Sequence, residues 1–302
     1  MSKNIKAVCF GEILYDVFPD MERIGGAPLN VASRLSSFRI DTEMISKVGV
    51  DEKGDELLKY LNSQNIETGN ILKDKQRSTG VVNVKLSASG SATYNIAYPS
   101  AWDKIELTDT MVNSVRNSDA FIFGSLVCRD EVSRNTLFKL IPKAKFRVLD
   151  FNLRPPHYSK ELLLELMQHA DFLKFNDDEL FEIAELLGSE YNSLEQNLLF
   201  IAVKSNAKQI CVTKGRHGAV FLHDKKLYYN SGYKVKVKDT VGAGDSFLGT
   251  LLAKLLQGEE PQQALDKACA MGALVAAKEG ANPEISETLL NTFMNPMRAA
   301  KK

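Results

Sequence analysis

The apolar positions follow two rhythms. After Trp102, short apolar runs alternate with longer amphipathic stretches. The runs at 120–123, 147–151, 172–175 and 209–213 read as strands. Helical spacing falls between them, near 109–115, 131–140, 160–168, 178–187 and 193–205. Strictly alternating strands and helices imply parallel strands with helices on both faces. Such sheets bind ligands at the C-terminal ends of their strands, and Gly124, Asn152, Asn176 and Lys214 stand at those ends.

The first hundred residues are less regular. Residues 7–10 read as a buried strand ending at Gly11. Residues 12–19 partly alternate, and Pro19 argues for a sheet edge. Gly25-Gly26-Ala27-Pro28 opens a helix running to about Phe38, with Pro28 suited to its first turn. A short strand at 44–48 precedes a helix at 51–61, for which Asp51 is the expected cap. Residues 79–98 read as a β-hairpin turning at Ser89-Gly90, with Trp102 packing its end. With the strand near 13–18 it predicts a small sheet outside the main layer. Late in the chain, a glycine turn at 242–244 feeds a buried helical run at 247–256. A last helix starts near Pro261 and is expected to end at Gly280. No repeat, low-complexity tract or inter-domain linker interrupts the 302 residues, so one domain is expected.

Composition narrows the functional classes. Lys+Arg and Asp+Glu are both 38, so no general attraction to nucleic acid or an anionic membrane is expected. Cys9, Cys128, Cys211 and Cys269 are widely spaced and form no CxxC pair, which favours a reducing cytoplasm. The N-terminal residues show no signal-peptide pattern, and no stretch approaches the roughly 20 apolar residues of a membrane span. The tail at 297–302 is expected to fray. His157, His169, His217 and His223 lack ligand spacing.

The chemistry concentrates at Gly242-Ala243-Gly244-Asp245. A glycine turn entering a buried helix points free N–H groups and the positive end of the helix dipole at one spot. An anion fits there, with Asp245 beside it as a base. The same residues also describe a glycine turn with Asp245 as an ordinary cap. A dinucleotide fingerprint is excluded because Phe247 stands where the third glycine belongs, and no GxxxxGK[ST] loop occurs.

Asp239-Thr240-x-Gly242-Ala243-Gly244-Asp245 resembles the C-terminal signature of the ribokinase-like carbohydrate kinases. Gly25-Gly26-Ala27-Pro28-x-Asn30-Val31-Ala32 resembles their N-terminal signature, in the form common among fructokinases. The resemblance covers essentially the whole chain and implies a role for each matching position. Asp245 would deprotonate the attacking sugar hydroxyl, and Gly242, Ala243 and Gly244 would form the anion hole. Asp16, Gly26 and Asn30 would bind sugar hydroxyls. Asp150-x-Asn152-x-Arg154 resembles an element of fructokinases and ketodeoxygluconate kinases, with Arg154 meeting the substrate; a surface arginine before Pro155-Pro156 is the plainer reading. Asn176-Asp177-Asp178-Glu179 resembles the Asn-x-x-Glu element, in which Glu179 would help organise Mg²⁺ through water; a capped helix start reads equally well. Thr213, Lys214, Gly215 and Gly218 would line the nucleotide with Asn176, although Gly218 also suits a hairpin. Cys269 replaces the asparagine that many relatives place beside adenine. Asp239, Val241, Val275 and Gly280 correspond to a monovalent-cation loop, where Glu284 departs from the usual serine. Tyr94 and Tyr98 either face sugar or pack a sheet face.

These features predict an α/β protein: a ribokinase-like three-layer α/β/α sandwich with a mostly parallel central sheet. A small β-sheet lid, from residues 13–24 and 79–98, completes a single kinase domain spanning 1–302. The expected reaction transfers a phosphoryl group from ATP to a sugar with Mg²⁺, and K⁺ as a further ion. Fructose is the first substrate expected, yielding fructose 6-phosphate. 2-Keto-3-deoxygluconate is the runner-up, then another sugar or a nucleoside; a sugar-binding sensor without catalysis is the alternative of another class. A homodimer through the lid is also expected, because lid strands present open edges.

Overall fold

A computed structural model describes residues 4–86 and 92–295, with the side chains of 84–86 and 92–94 left aside. The hairpin turn at Ser89-Gly90, the side chain of Tyr94 and the tail at 297–302 lie outside the described residues. The chain divides into two compact units, Met1–Arg147 with Leu153–Tyr158, and Val148–Asn152 with Ser159–Lys302.

The first unit runs β1 (Lys6–Phe10), β2 (Leu14–Val17), β3 (Glu22–Gly25), α1 (Ala27–Ser37), β4 (Asp41–Gly49) and α2 (Glu52–Ser63). It continues with β5 (Ile66–Asp74), β6 (Gly80–Leu86), β7 (Ala92–Ile96), α3 (Asp109–Asn117), β8 (Ala120–Gly124) and α4 (Glu131–Leu140). Strands β8, β1, β4 and β5 lie side by side in that order, all parallel. β1 has a parallel neighbour on each edge, and Ala7, Val8, Cys9 and Phe10 are all fully buried. That is why its sequence is continuously apolar rather than alternating. The second sheet of this unit has the order β3-β2-β6-β7. Leu14 and Val82 form its small core, with Phe18 and Ile96 against them. Beneath β6, Gly80 leaves room for buried Trp102; a Cβ at Gly80 would stand 2.5 Å from the indole nitrogen.

The second unit opens with β9 (Arg147–Asp150), α5 (Lys160–Gln168), β10 (Phe172–Asn176), α6 (Asp177–Leu186) and α7 (Leu194–Lys204). It closes with β11 (Gln209–Thr213), β12 (Ala219–His223), β13 (Lys226–Asn230), α8 (Ala243–Leu256), α9 (Pro261–Ala276) and α10 (Glu287–Met294). β9, β10 and β11 are parallel, and β12 and β13 extend that edge as antiparallel strands. The main sheet has nine strands in all. Among the described residues, no helix is long and apolar enough to cross a membrane.

The predicted strands and helices of the alternating region are present within a few residues. Several expectations need correction. β5 was not anticipated: Gly69 and Asn70 interrupt its apolar pattern, and Asn70 is buried only because Glu43 and Ser114 accept its amide hydrogens. β12, β13 and α10 were also missed. Pro19 does not mark an edge strand, since β2 ends at Val17 and lies between β3 and β6. α9 ends at Ala276, so Gly280 belongs to the following loop. α8 begins at Ala243 rather than at the apolar run, which puts Asp245 inside its first turn.

Candidate active site

In the first unit, the candidate residues gather around the start of α1. Gly26 is its N-cap, at φ +113°, and no side chain caps the helix. A Cβ on Gly26 would collide with the backbone oxygen of Glu12, so a larger residue is excluded by both conformation and space. Asn30, one turn on, is buried and donates its backbone N–H to the Gly26 carbonyl at 2.9 Å. Asp16 lies on β2, in register with Arg23 on β3. A Cβ on Gly25 would sit 2.5 Å from Asp16 Oδ2, so the first glycine of the pair makes room for that carboxylate. Burial pushes the Asp16 carboxyl above its ordinary range, while Arg154 and then Arg23 pull it back. Arg154 donates Nη1 to the Leu153 carbonyl at 2.9 Å.

In the second unit, the residues gather at the start of α8. Gly242 is its N-cap in the left-handed region, at φ +73°. A Cβ there would stand 2.5 Å from the Ala281 oxygen. The Ser246 N–H closes the first turn on the Gly242 carbonyl at 2.8 Å. Gly244 differs. It has ordinary helical backbone, and a Cβ on it would find only Lys174 Nζ within 4 Å, at 3.6 Å, beyond its own helix and chain neighbours. The space over Gly244 is therefore open and bordered by an ammonium.

Lys174 comes from β10, in register with Asp150 on β9. The two form an ion pair at 3.2 Å, with side chains 8% and 5% exposed. Burial by itself would push the ammonium toward neutrality; Asp150, then Glu179 and Asp245, hold it well above the usual lysine range. Two residues further along, Asn176 and Glu179 form a capping box. The Asn176 N–H donates to Glu179 Oε2 at 2.8 Å, and the Glu179 N–H donates to Asn176 Oδ1 at 2.7 Å. The sequence passed over Lys174 as one position of a strand run. Its signal was a charged residue between Leu173 and Phe175, in a strand that is otherwise apolar up to Asn176.

Thr213, Lys214, Gly215 and Gly218, the residues expected to line the nucleotide, lie around the β11–β12 turn. Thr213 ends β11 and donates its hydroxyl to the Phe175 carbonyl at 3.3 Å. The Lys214 N–H donates to the Gly218 carbonyl at 2.7 Å, and Gly215 and Gly218 both have positive φ. A Cβ on Gly218 would strike the Asn230 oxygen, so hairpin geometry already requires glycine there. Cys269 is buried on α9; burial pushes its thiol up to about 12, with Asp266 adding to the effect and Lys214 opposing it. Further on, Asp239 Oδ1 accepts from the Val241 N–H at 3.0 Å and Oδ2 from the Gly280 N–H at 3.2 Å. The Val275 carbonyl lies in the same turn, accepting from the Lys278 N–H at 2.9 Å. Asp239, Val241 and Gly280 are thus brought together, and Val275 precedes Ala276, whose carbonyl accepts from the Lys238 N–H at 2.8 Å and the Asp239 N–H at 3.3 Å.

The chain as a whole is similar to known proteins. Residues 5–288 match the model of the family described as pfkB family carbohydrate kinase. The chain belongs to the pfkB family of carbohydrate kinases. As such it is an ATP-dependent sugar kinase. Fructokinase-2 of Zea mays is 29% identical over 311 residues, covering 93% of this chain and 91% of the relative. Fructokinase-2 of Solanum lycopersicum is 29% identical over 307 residues, covering 92% of each. Among solved structures, the fructokinase of Vibrio cholerae O395 bound to fructose, ADP and calcium has a TM-score of 0.84 at 24% identity, covering 97% of this chain and 99% of that one. An uncharacterized sugar kinase of Pyrococcus horikoshii in complex with ATP has a TM-score of 0.76 at 27% identity, covering 91% and 94%. The pfkB kinase described here therefore has the ribokinase-like fold, with its mostly parallel main sheet and small second sheet.

Proposed function

We propose that this kinase phosphorylates fructose, giving fructose 6-phosphate and ADP. The observation that carries this reading is the glycine-capped start of α8, with Asp245 in its first turn and open space over Gly244. Phosphoryl transfer asks the protein mainly for positioning and charge stabilisation, plus a group to take the hydroxyl proton. Asp245 is that base. Gly242 and Gly244 offer backbone N–H groups, and with them the helix dipole, to the phosphoryl group; the Ala243 N–H already donates to the Thr240 carbonyl at 3.2 Å, which corrects its expected place in the anion hole. Asp16, Gly26, Asn30 and Arg154 hold the sugar; a carboxylate and an amide suit hydroxyls, which donate and accept at once. The preference for fructose rests on the GGAP form of the first glycine pair and on the fructokinases that match over nine-tenths of the chain.

Asn176, Thr213, Lys214, Gly215, Gly218 and Cys269 would line the nucleotide. Among the described residues, no group of three or more His, Cys, Asp or Glu is placed to hold a metal by itself. The acidic residues near Lys174 fit a magnesium ion held through water and nucleotide phosphates, as that ion prefers. Glu179 would orient its water shell, and the ion would offset phosphate charge. Asp239, Val241, Val275 and Gly280 would hold a potassium ion. The strands at 13–24 and 79–98 would act as the lid and as the surface of a homodimer.

A second reading, 2-keto-3-deoxygluconate as substrate, is favoured by the two guanidinium groups, Arg23 and Arg154, that act on Asp16. They would suit a substrate carboxylate. ADP release measured over fructose, other hexoses, 2-keto-3-deoxygluconate and nucleosides separates these readings. Fructose is expected to give the largest kcat/KM. A larger value for the sugar acid moves the assignment there, and sugar binding without ADP release from any of them makes the protein a sensor.

A further inference from the structure

Lys174 is a buried charge for which the reading above has no use. Three observations bear on it. Its ammonium stands 3.6 Å from where a Cβ of Gly244 would be, and among the described residues no other atom outside that glycine's own helix and chain neighbours comes within 4 Å of that point. It is tied to Asp150 at 3.2 Å, and both are buried. Glu179 and Asp245 are close enough to favour its charged form. An ion pair in such a place is a poor way to gain stability, because desolvating both charges offsets their attraction. Apolar residues of the same size would fill a buried strand position at lower cost. The ammonium instead borders the open space over Gly244 at the start of α8.

We infer that Lys174 is a further catalytic residue: its ammonium donates to the phosphoryl group in transfer over Gly244, and Asp150 is the positioning residue that aims it. This rests on the placement of the phosphoryl group proposed above. In the step, the sugar hydroxyl oxygen bonds to the γ-phosphorus as its proton passes to the Asp245 carboxylate. The bond from that phosphorus to the β,γ-bridging oxygen breaks, and its electron pair leaves on ADP. Lys174 keeps its proton throughout. A fixed donor aimed at the transferring group lowers the barrier without reorganising during the reaction.

The test uses Lys174→Met, Asp150→Asn and the double variant, each checked for a cooperative melt. Lys174→Met is expected to lose about 10²–10³ in kcat, the usual effect of removing one such donor. ADP, which lacks the transferred group, should bind within about threefold of wild type, while the β,γ-methylene analogue of ATP binds at least about tenfold more weakly. The double variant removes both buried charges, so it carries the test if the single one does not fold. If Lys174 served only to neutralise Asp150, the double variant would recover kcat to within about threefold of wild type. That recovery overturns the inference, as does an equal loss of ADP and analogue binding; a folded double variant that stays slow supports it. Gly244→Ala tests the phosphoryl placement separately. Full turnover in that variant would reject the placement, whatever Lys174 does.

Discussion

Helices α1 and α8 start in the same way and are surrounded differently. Seven of the ten α-helices among the described residues are capped by a side chain: Asp51, Thr108, Asp130, Ser159, Asn176, Ser193 and Ser286. α9 opens on Pro261, which has no N–H to satisfy. Among the described residues, only α1 and α8 begin at a glycine of positive φ with no side-chain cap. At α1, Pro28 brings no N–H to the first turn; at α8, the Ala243 N–H donates to the Thr240 carbonyl at 3.2 Å, and the other first-turn N–H groups of both helices have no partner within the helix. At α1 the glycine is wedged on the Glu12 carbonyl, and no acid enters the first turn. At α8 the first turn carries Asp245, and a lysine stands over the second glycine. The backbone device is shared; on the function proposed above, the residues around it would fit one helix to neutral hydroxyls and the other to an anion with a proton to move.

The largest effect expected is at α8. Asp245→Asn should lower kcat by about 10³-fold, within the range of a lost general base, with fructose affinity by calorimetry nearly unchanged. Near-normal turnover would remove Asp245 from that role. Gly244→Ala comes next. Its backbone is helical and its Cβ meets no close atom, so the melting temperature should hold or rise, while kcat falls by at least about 10². At the other helix, Asp16→Ala should raise KM for fructose by about 10- to 100-fold, as for a lost hydrogen bond to a charged group, with a smaller change in kcat. Gly242→Ala and Gly26→Ala should both lose about 1–3 kcal/mol of stability by denaturant melts, because each forces a side chain into positive φ against backbone. Equal stability losses at Gly244 would erase the distinction drawn between the glycines.

The smallest effect lies away from both helices and serves as a control. Burial raises the Asp74 carboxyl, but the Gln76 N–H, Lys47 and the Arg77 N–H outweigh it and bring it down to about 2. Its folded value is below the unfolded one of about 3.9, so its contribution is present above about pH 4 and fades as pH falls toward 2. Asp74→Asn should flatten the acid limb of stability across that window and leave turnover unchanged.

Much of this was legible from residues alone. The runs at 120–123 and 210–212 are buried on both faces and therefore continuously apolar, and the run at 172–175 is broken only by Lys174. Ser, Thr, Asp and Asn at helix starts announced caps, and Asp51 and Asn176 cap the helices after them. β5 hid because Asn70 is satisfied by Glu43, a residue of another strand. β12 and β13 hid because a short hairpin lacks the helix that marked every parallel strand before it. Gly218 was read toward the nucleotide, and the turn alone also demands a glycine there.

The sequence by itself determined the alternation of elements, the glycines that permit positive φ, and the placement of an acid directly after the second glycine turn. Those depend on neighbours in the chain, where backbone sterics and helix-end hydrogen bonds act. Only the tertiary structure decided what faces Gly244. Lys174 lies seventy residues earlier, and its partner Asp150 on another strand. Strand register brings them together, and register is set by burial of whole strands, which no local pattern around Lys174 records.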